Sequence, residues 1–264
     1  MDYIYSAGKV RECRDCILIL TGTSTQSNDV AHLVQYLIRE GDCSVAVIER
    51  FIGGPLDIKY CPREERLNDL MRTISELIEL REIRRIHVIA HSYGAFEIVR
   101  LLSGRAFRYC CHIKNVILVN PVGFSGKKRY VRHCLRFLFL FVAKEYGTAL
   151  NSVLWGNNRD LAFRKCCATS SLLFKSVANL TRTLREIAEI EGETFGTELN
   201  ELCRSGFNFF FVVNTSDTLI IPRNIMDGVR SLVPVDRLVT FPGNHIDPLL
   251  NEEIMGEMYR LLEI

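Results

Sequence analysis

Three residues of this chain carry the groups needed for nucleophilic acyl transfer and follow one another in the order Ser92, Asp217, His245. A serine hydroxyl is a weak nucleophile near neutral pH, so it needs a base to take its proton and a third group to orient that base. An imidazole and a carboxylate suit those two tasks. Ser92 stands in Ala90-His91-Ser92-Tyr93-Gly94, with a small residue two places away on either side. Small flanks let a strand and a helix approach closely while a strained turn pushes the hydroxyl outward. Taken singly, each motif has a plainer reading. The five residues around Ser92 also suit an ordinary strand-to-helix loop, Asp217 suits a helix cap, and His245 suits a hydrogen bond to a loop carbonyl.

The elements flanking these residues would place them together. Ile86, Val88 and Ile89 form an apolar, largely β-branched run that suits a buried parallel strand, and Ala95, Ile98, Val99 and Leu102 then recur at helical spacing. Upstream, 3–5 reads as an edge strand, 16–20 as a firmer one and 44–48 as the next. Between the last two, Asn28 caps a helix whose stripe is Val30, Leu33, Val34, Leu37 and Ile38, closed by Gly41. Pro62 precedes a helix with Leu67, Leu70, Met71, Ile74 and Ile78 on its buried side. Downstream, 116–119 is a strand broken by Asn120-Pro121-Val122-Gly123. The patterns from 124 to 206 are all helical, including Leu173, Val177, Leu180, Leu184 and Ile187. Strands return at 207–213, ending just before Asp217, and at 237–241, ending just before His245. A helix starts near Pro222, and another capped by Asn251 carries Ile254, Met258, Leu261 and Leu262. Alternating strands and helices predict an α/β fold, a doubly wound and mostly parallel sheet flanked by helices, with a core at 1–123 and 207–264 and a helical cap inserted at 124–206. In a parallel sheet, Ser92, Asp217 and His245 all fall at the carboxyl edge.

Composition narrows the function classes. The 33 basic and 31 acidic residues nearly cancel, so no chain-wide field favours nucleic acid. The first residues are too polar for a signal peptide and no apolar run approaches ~20 residues, so the expectation is a cytoplasmic protein. The ten cysteines include the adjacent pairs Cys110-Cys111 and Cys166-Cys167 and read as reduced packing thiols. Cys13-x-x-Cys16 has no second ligand pair at zinc spacing. Neither a metal nor an organic cofactor is expected.

Together these motifs resemble the α/β-hydrolase-fold family over nearly the whole chain. Residues 90–94 match its nucleophile elbow, the strand end through Asp217 its acid loop, and Pro242-Gly243-Asn244-His245 its histidine loop. The resemblance implies Ser92 as nucleophile, His245 as base and Asp217 as the orienting acid. Thr21-Gly22-Thr23 occupies the place of the family's His-Gly, which implies oxyanion donors in the backbone N–H groups of Thr23 and Tyr93. The chain departs from the family pattern at Ala90, where glycine is usual, at Thr21, where histidine is usual, and in the spacing of Pro222 after Asp217. Asp247 is a rival carboxylate, but two residues from His245 it is poorly placed to face that imidazole. Asn120 stands where some members carry the acid, and an amide cannot stabilise an imidazolium as a carboxylate does. His32, His87, His112 and His133 read as structural.

The segment 127–133 is basic and 135–142 is markedly apolar, too short to span a bilayer. It reads either as a helix packed between cap and core or as an acyl-binding lid whose basic head meets an anionic head group or a membrane surface. The expected activity is a serine hydrolase acting on small-molecule carboxylic esters or thioesters with an apolar acyl group. The alternatives are a non-catalytic or slow ligand-binding protein of the same fold and a C–C bond hydrolase using the same triad.

Overall fold

The computed structural model describes residues 2–6, 14–22, 27–49, 63–104, 107–124, 146–155, 160, 162–167, 170, 180–191, 195–217 and 220–262. Among the described residues, seven strands form one sheet: β1 (Asp2–Ser6), β2 (Asp15–Leu20), β3 (Ser44–Glu49), β4 (Arg85–His91), β5 (Ile113–Val119), β6 (Asn208–Asn214) and β7 (Leu238–Phe241), in the order β1-β3-β2-β4-β5-β6-β7. Strands β2 to β7 pair in parallel, and β1 lies antiparallel at the edge against β3. This is the doubly wound, mostly parallel sheet that the alternation of patterns predicts.

Burial on both faces explains the composition of the central strands. All six residues of β2 are buried. Leu18 and Leu20 join Val88, Ala90, Val116, Leu118, Phe209 and Phe211 on one face, while Ile17 and Ile19 join Ile89, Ile117, Val119 and Val212 on the other. The period-two alternation of a strand divides these side chains between two cores. The first core is covered by α2 (Arg63–Glu79), α3 (Tyr93–Ser103), α6 (Phe195–Arg204) and α7 (Pro222–Arg230), and the second by α1 (Ala31–Glu40) and α8 (Glu252–Leu261). Two further helices, α4 (Tyr146–Trp155) and α5 (Leu180–Glu191), belong to the helical stretch between β5 and β6.

Local signals met tertiary packing with mixed results. Asn251 caps α8, its side chain accepting from Glu253 N–H at 2.9 Å, and Pro222 takes the first turn of α7. By contrast, α1 is entered through a 3-10 turn at Ser27–Val30, so Val30 and not Asn28 stands at its cap position. The buried side of α2 is centred on Arg66, Leu70, Thr73, Ile74 and Leu77, with Leu67, Met71 and Ile78 at its margin. It is turned from the apolar stripe toward a charged residue, because Arg66 finds buried partners. Within 124–206, α6 packs on α3, and Phe195 stacks on Phe96 with ring centroids 6.2 Å apart.

Cys16, Cys43, Cys110, Cys111, Cys166, Cys167 and Cys203 are free thiols; Cys13, Cys61 and Cys134 lie outside the described residues. So do Thr23, Pro62, His133, Leu173, Val177 and the whole basic and apolar stretch 127–142. Among the described residues, no helix is long and apolar enough to cross a membrane.

Candidate active site

Ser92 joins β4 to α3 with φ 54° and ψ −114°. A non-glycine residue in this region carries on the order of 1–3 kcal/mol of strain, sustained only where the surroundings over-determine it. They do so here. Ser92 N–H donates to Val119 O at 2.9 Å, and the backbone of Leu20 and Thr21 presses on Gly94, leaving no space there for even a methyl group. Gly22 closes the other side, where an added Cβ would sit 3.0 Å from Ser92 Cβ and 3.4 Å from its Oγ. The segment leading into Thr23 therefore passes directly beside the Ser92 hydroxyl.

His245 lies 2% exposed on the loop after β7, and its Nδ1 stands 2.6 Å from Oδ2 of Asp217, on the loop after β6. A carboxylate can only accept, so Nδ1 carries the proton and Nε2 is left with a lone pair. The other Asp217 oxygen accepts from Ile220 N–H at 3.0 Å. Asp217 is thus a turn cap and the partner of an imidazole at once. Asp247 is engaged elsewhere, with Oδ2 accepting from Asn244 N–H at 2.9 Å and Oδ1 lying 2.8 Å from Lys165 Nζ. Gly243 makes this loop feasible. Its φ is 151°, and a side chain there would collide with Asp247 and Asn214.

Several neighbours were not evident from sequence. His91, the residue before Ser92, is 3% exposed, with its ring centroid 4.7 Å from that of His245 and its Nε2 2.9 Å from the His245 carbonyl. Because a carbonyl only accepts, His91 Nε2 is the protonated nitrogen. Burial, with the His245 ring beside it, pushes the His91 pKa down to about 3, so its imidazole is neutral. Asn120, at the end of β5, also donates to His245 O, at 3.1 Å.

A second buried cluster backs the turn. Arg66 Nη2 donates to the Tyr93 hydroxyl at 2.5 Å and to Glu189 of α5 at 2.7 Å, and its Nε donates to Glu97 at 3.0 Å. The Tyr93 hydroxyl in turn donates to Glu189 at 2.5 Å. Burial opposes the Arg66 charge, but Tyr93, Glu97 and Glu189 outweigh it and hold its pKa above the ordinary arginine value. The sequence signal was an arginine in phase with the apolar stripe of α2, which a count of hydrophobic residues passes over. Of the other histidines, His87 is buried in β4 and His112 Nδ1 lies 2.9 Å from Arg84 O, while His32 stands beside Glu252 and Arg164. Among the described residues, no group of three or more His, Cys, Asp or Glu is arranged to hold a metal ion.

No protein-family model and no curated protein matches this sequence. Solved structures do resemble it along its whole length. A bromoperoxidase from Bacillus anthracis is 15% identical, with a TM-score of 0.68 over 99% of this chain and 94% of that one. An esterase from Exiguobacterium antarcticum is 10% identical, with a TM-score of 0.68 over 99% and 95%. An enol-lactonase from Burkholderia xenovorans LB400 is 15% identical, with a TM-score of 0.63 over 99% and 96%. The chain has the α/β-hydrolase fold.

Proposed function

We propose that the protein is a serine hydrolase that cleaves carboxylic ester or thioester bonds through an acyl-enzyme on Ser92. The observation that carries this reading is the buried His245 Nδ1–H to Asp217 contact at 2.6 Å, which leaves His245 Nε2 as an acceptor. That imidazole is packed against His91, the residue adjoining Ser92 with its strained backbone. His245 Nε2 takes the Ser92 proton as Oγ attacks the acyl carbon, and Asp217 offsets the imidazolium charge that forms. The imidazolium then protonates the leaving alcohol or thiol as the bond to the acyl carbon breaks. Water attacks the acyl-enzyme, giving its proton to His245, and the acid is released with Ser92 restored. Developing negative charge on the acyl oxygen is assigned to the N–H groups of Thr23 and Tyr93. In support, N–H groups in the first turn of a helix such as α3 lack intrahelical acceptors, and Gly22 lies so near Ser92 that a Cβ added there would sit 3.4 Å from its Oγ. An apolar acyl group is proposed from the run at 135–142, peripheral membrane contact from the basic head at 127–133, and a cytoplasmic setting from the cysteine usage.

A fluorophosphonate tests this without knowledge of the natural substrate, since it reacts only with an activated hydroxyl. Native protein is expected to be labelled at Ser92, denatured protein to be inert, and Ser92→Ala to lose labelling. Asp217→Asn should lose roughly 10⁴-fold in ester turnover, because an amide selects the wrong imidazole tautomer. Asp247→Asn should retain most activity. A folded wild type that resists the probe and hydrolyses no short acyl ester would leave a ligand-binding protein as the reading. Labelling without ester turnover would direct the substrate search to C–C bonds.

A further inference from the structure

The main-chain carbonyl of His245 receives two side-chain donors from the ends of two neighbouring strands: His91 Nε2 at 2.9 Å from β4 and Asn120 Nδ2 at 3.1 Å from just beyond β5. Both donors are buried, Asn120 at 0% exposure and His91 at 3%. Asn120 does more than donate. Its Oδ1 accepts from Asn214 N–H at 2.8 Å, and Asn214 O in turn accepts from Asp217 N–H at 3.3 Å. One carboxamide therefore bonds on one side to the loop bearing the base and on the other to the turn bearing the acid. Its backbone is held to match, with φ 42° and N–H donating to Val212 O at 2.9 Å.

We propose that Asn120 and His91 are positioning residues that hold His245 through its own carbonyl, with Asn120 keeping the base and acid loops in register. The inference rests on His245 and Asp217 having the roles proposed above. The chemistry of each group is specific. Asn120 must donate to one loop and accept from the other, which an amide does and a carboxylate cannot, since a carboxylate has no donor and would face the His245 carbonyl with like-signed charge. His91 must donate from Nε2 alone, and its burial in neutral form keeps positive charge away from the adjacent His245 ring. The short His245–Asp217 contact joins two loops whose carrier strands are adjacent and which also meet where Thr215 N–H donates to Phe241 O at 2.8 Å. Asn120 adds a bridge between them through a third strand end.

Two substitutions at His91 separate positioning from packing. His91→Gln keeps a donor and gives up the ring, whereas His91→Phe keeps the ring and gives up the donor. Positioning predicts that the Phe variant loses roughly tenfold to a hundredfold in kcat with KM within about twofold, while the Gln variant stays within about threefold of wild type. Asn120→Asp should resemble the Phe variant. The second readout needs no substrate: wild type and His91→Gln should show a strongly deshielded Nδ1 proton of His245 by NMR, and His91→Phe and Asn120→Asp should lose or shift it. The opposite ranking, with His91→Phe retaining kcat and the proton signal while His91→Gln loses both, would overturn the proposal. If wild type shows no hydrolysis and no fluorophosphonate labelling, the hydrolase reading fails, and the proton signal alone decides whether the clamp exists. Should Asn120→Asp not fold, the His91 pair decides.

Discussion

Replacing Gly22 and Gly94 by alanine, one at a time, should produce opposite signatures, because a methyl group at each position would meet a different kind of obstacle. At Gly94 the added Cβ would lie 2.6 Å from Leu20 O, 2.8 Å from Leu20 C and 2.9 Å from Thr21 O. These are backbone atoms of β2 and its exit, and β2 is wholly buried in the sheet, so they cannot swing aside. Either α3 lifts away from the strand or β2 shifts. Overpacking of this kind costs about 1–3 kcal/mol and sometimes more, and an obstacle made entirely of backbone belongs near the top of that range. At about 2–4 °C per kcal/mol for a domain approaching this size, ~3 kcal/mol corresponds to a Tm lower by roughly 6–12 °C. At Gly22 the added Cβ would meet Ser92 Cβ at 3.0 Å, His91 Nδ1 at 3.3 Å and Ser92 Oγ at 3.4 Å. A few tenths of an ångström relieve that contact, so the stability cost should stay near ~1 kcal/mol. The displaced atoms, however, are those of Ser92, the proposed nucleophile, and the segment that leads into Thr23. A misplacement of about 1 Å at a reacting centre costs up to about 10²-fold, so fluorophosphonate labelling of Gly22→Ala, with a smaller shift, should slow measurably but by less than about that factor. Urea unfolding and the labelling rate, measured on the same preparations, report the two effects separately. A Gly94→Ala protein as stable as wild type would refute the close-approach argument. Wild-type labelling by a folded Gly22→Ala protein would remove Gly22 from the site.

Two further outcomes concern stability. Burial pushes His87 down to about 4 and His91 down to about 3, from 6.5 in the unfolded chain. Below pH 6.5 the unfolded state binds protons at these positions and the folded state does not, so stability is fully present above that pH. It should fall as the pH drops toward 4, by up to about 1.4 kcal/mol per pH unit for each histidine. Urea midpoints at pH 7, 6 and 5 should trace this slope, and His87→Leu should flatten it; unchanged slope in that variant would show that His87 does not titrate this way. Arg66→Leu leaves the buried Glu97 and the half-buried Glu189 without the guanidinium that pairs with both, and should cost about 3–5 kcal/mol by urea unfolding. A loss below about 1 kcal/mol would mean that these carboxylates are satisfied without the guanidinium.

The strand ends that carry Ser92, Asp217 and His245 were legible because each is marked locally. An apolar run long enough for a buried strand stops at residues that break it, at Ser92-Tyr93-Gly94, Asn214-Thr215-Ser216-Asp217 and Pro242-Gly243-Asn244-His245. Parallel pairing then brings strand ends to one edge whatever lies between them. The cap of α8 was legible for the same reason, since Asn251 and Glu253 are chain neighbours. Asn28 failed as a cap because the packing of Val30 and Leu33 against the second core set where the helix begins, and side-chain propensity there is worth only about 1 kcal/mol. The phase of α2 failed for a related reason. A stripe of hydrophobic residues was visible, but the partners that make a buried Arg66 tolerable lie 27, 31 and 123 residues away in the chain.

By itself, then, the sequence determined the succession of strands and helices, the sheet edge at which Ser92, Asp217 and His245 lie and the residue types available there. Only the tertiary structure decided which tautomer His245 and His91 adopt, how closely Asp217 meets the imidazole, and that Asn120 bonds to both His245 and Asn214. Those outcomes depend on hydrogen bonds between residues 28, 125 and 154 positions apart. Such bonds form where sheet register and loop packing bring a donor within about 3 Å of an acceptor, a condition that no local pattern encodes.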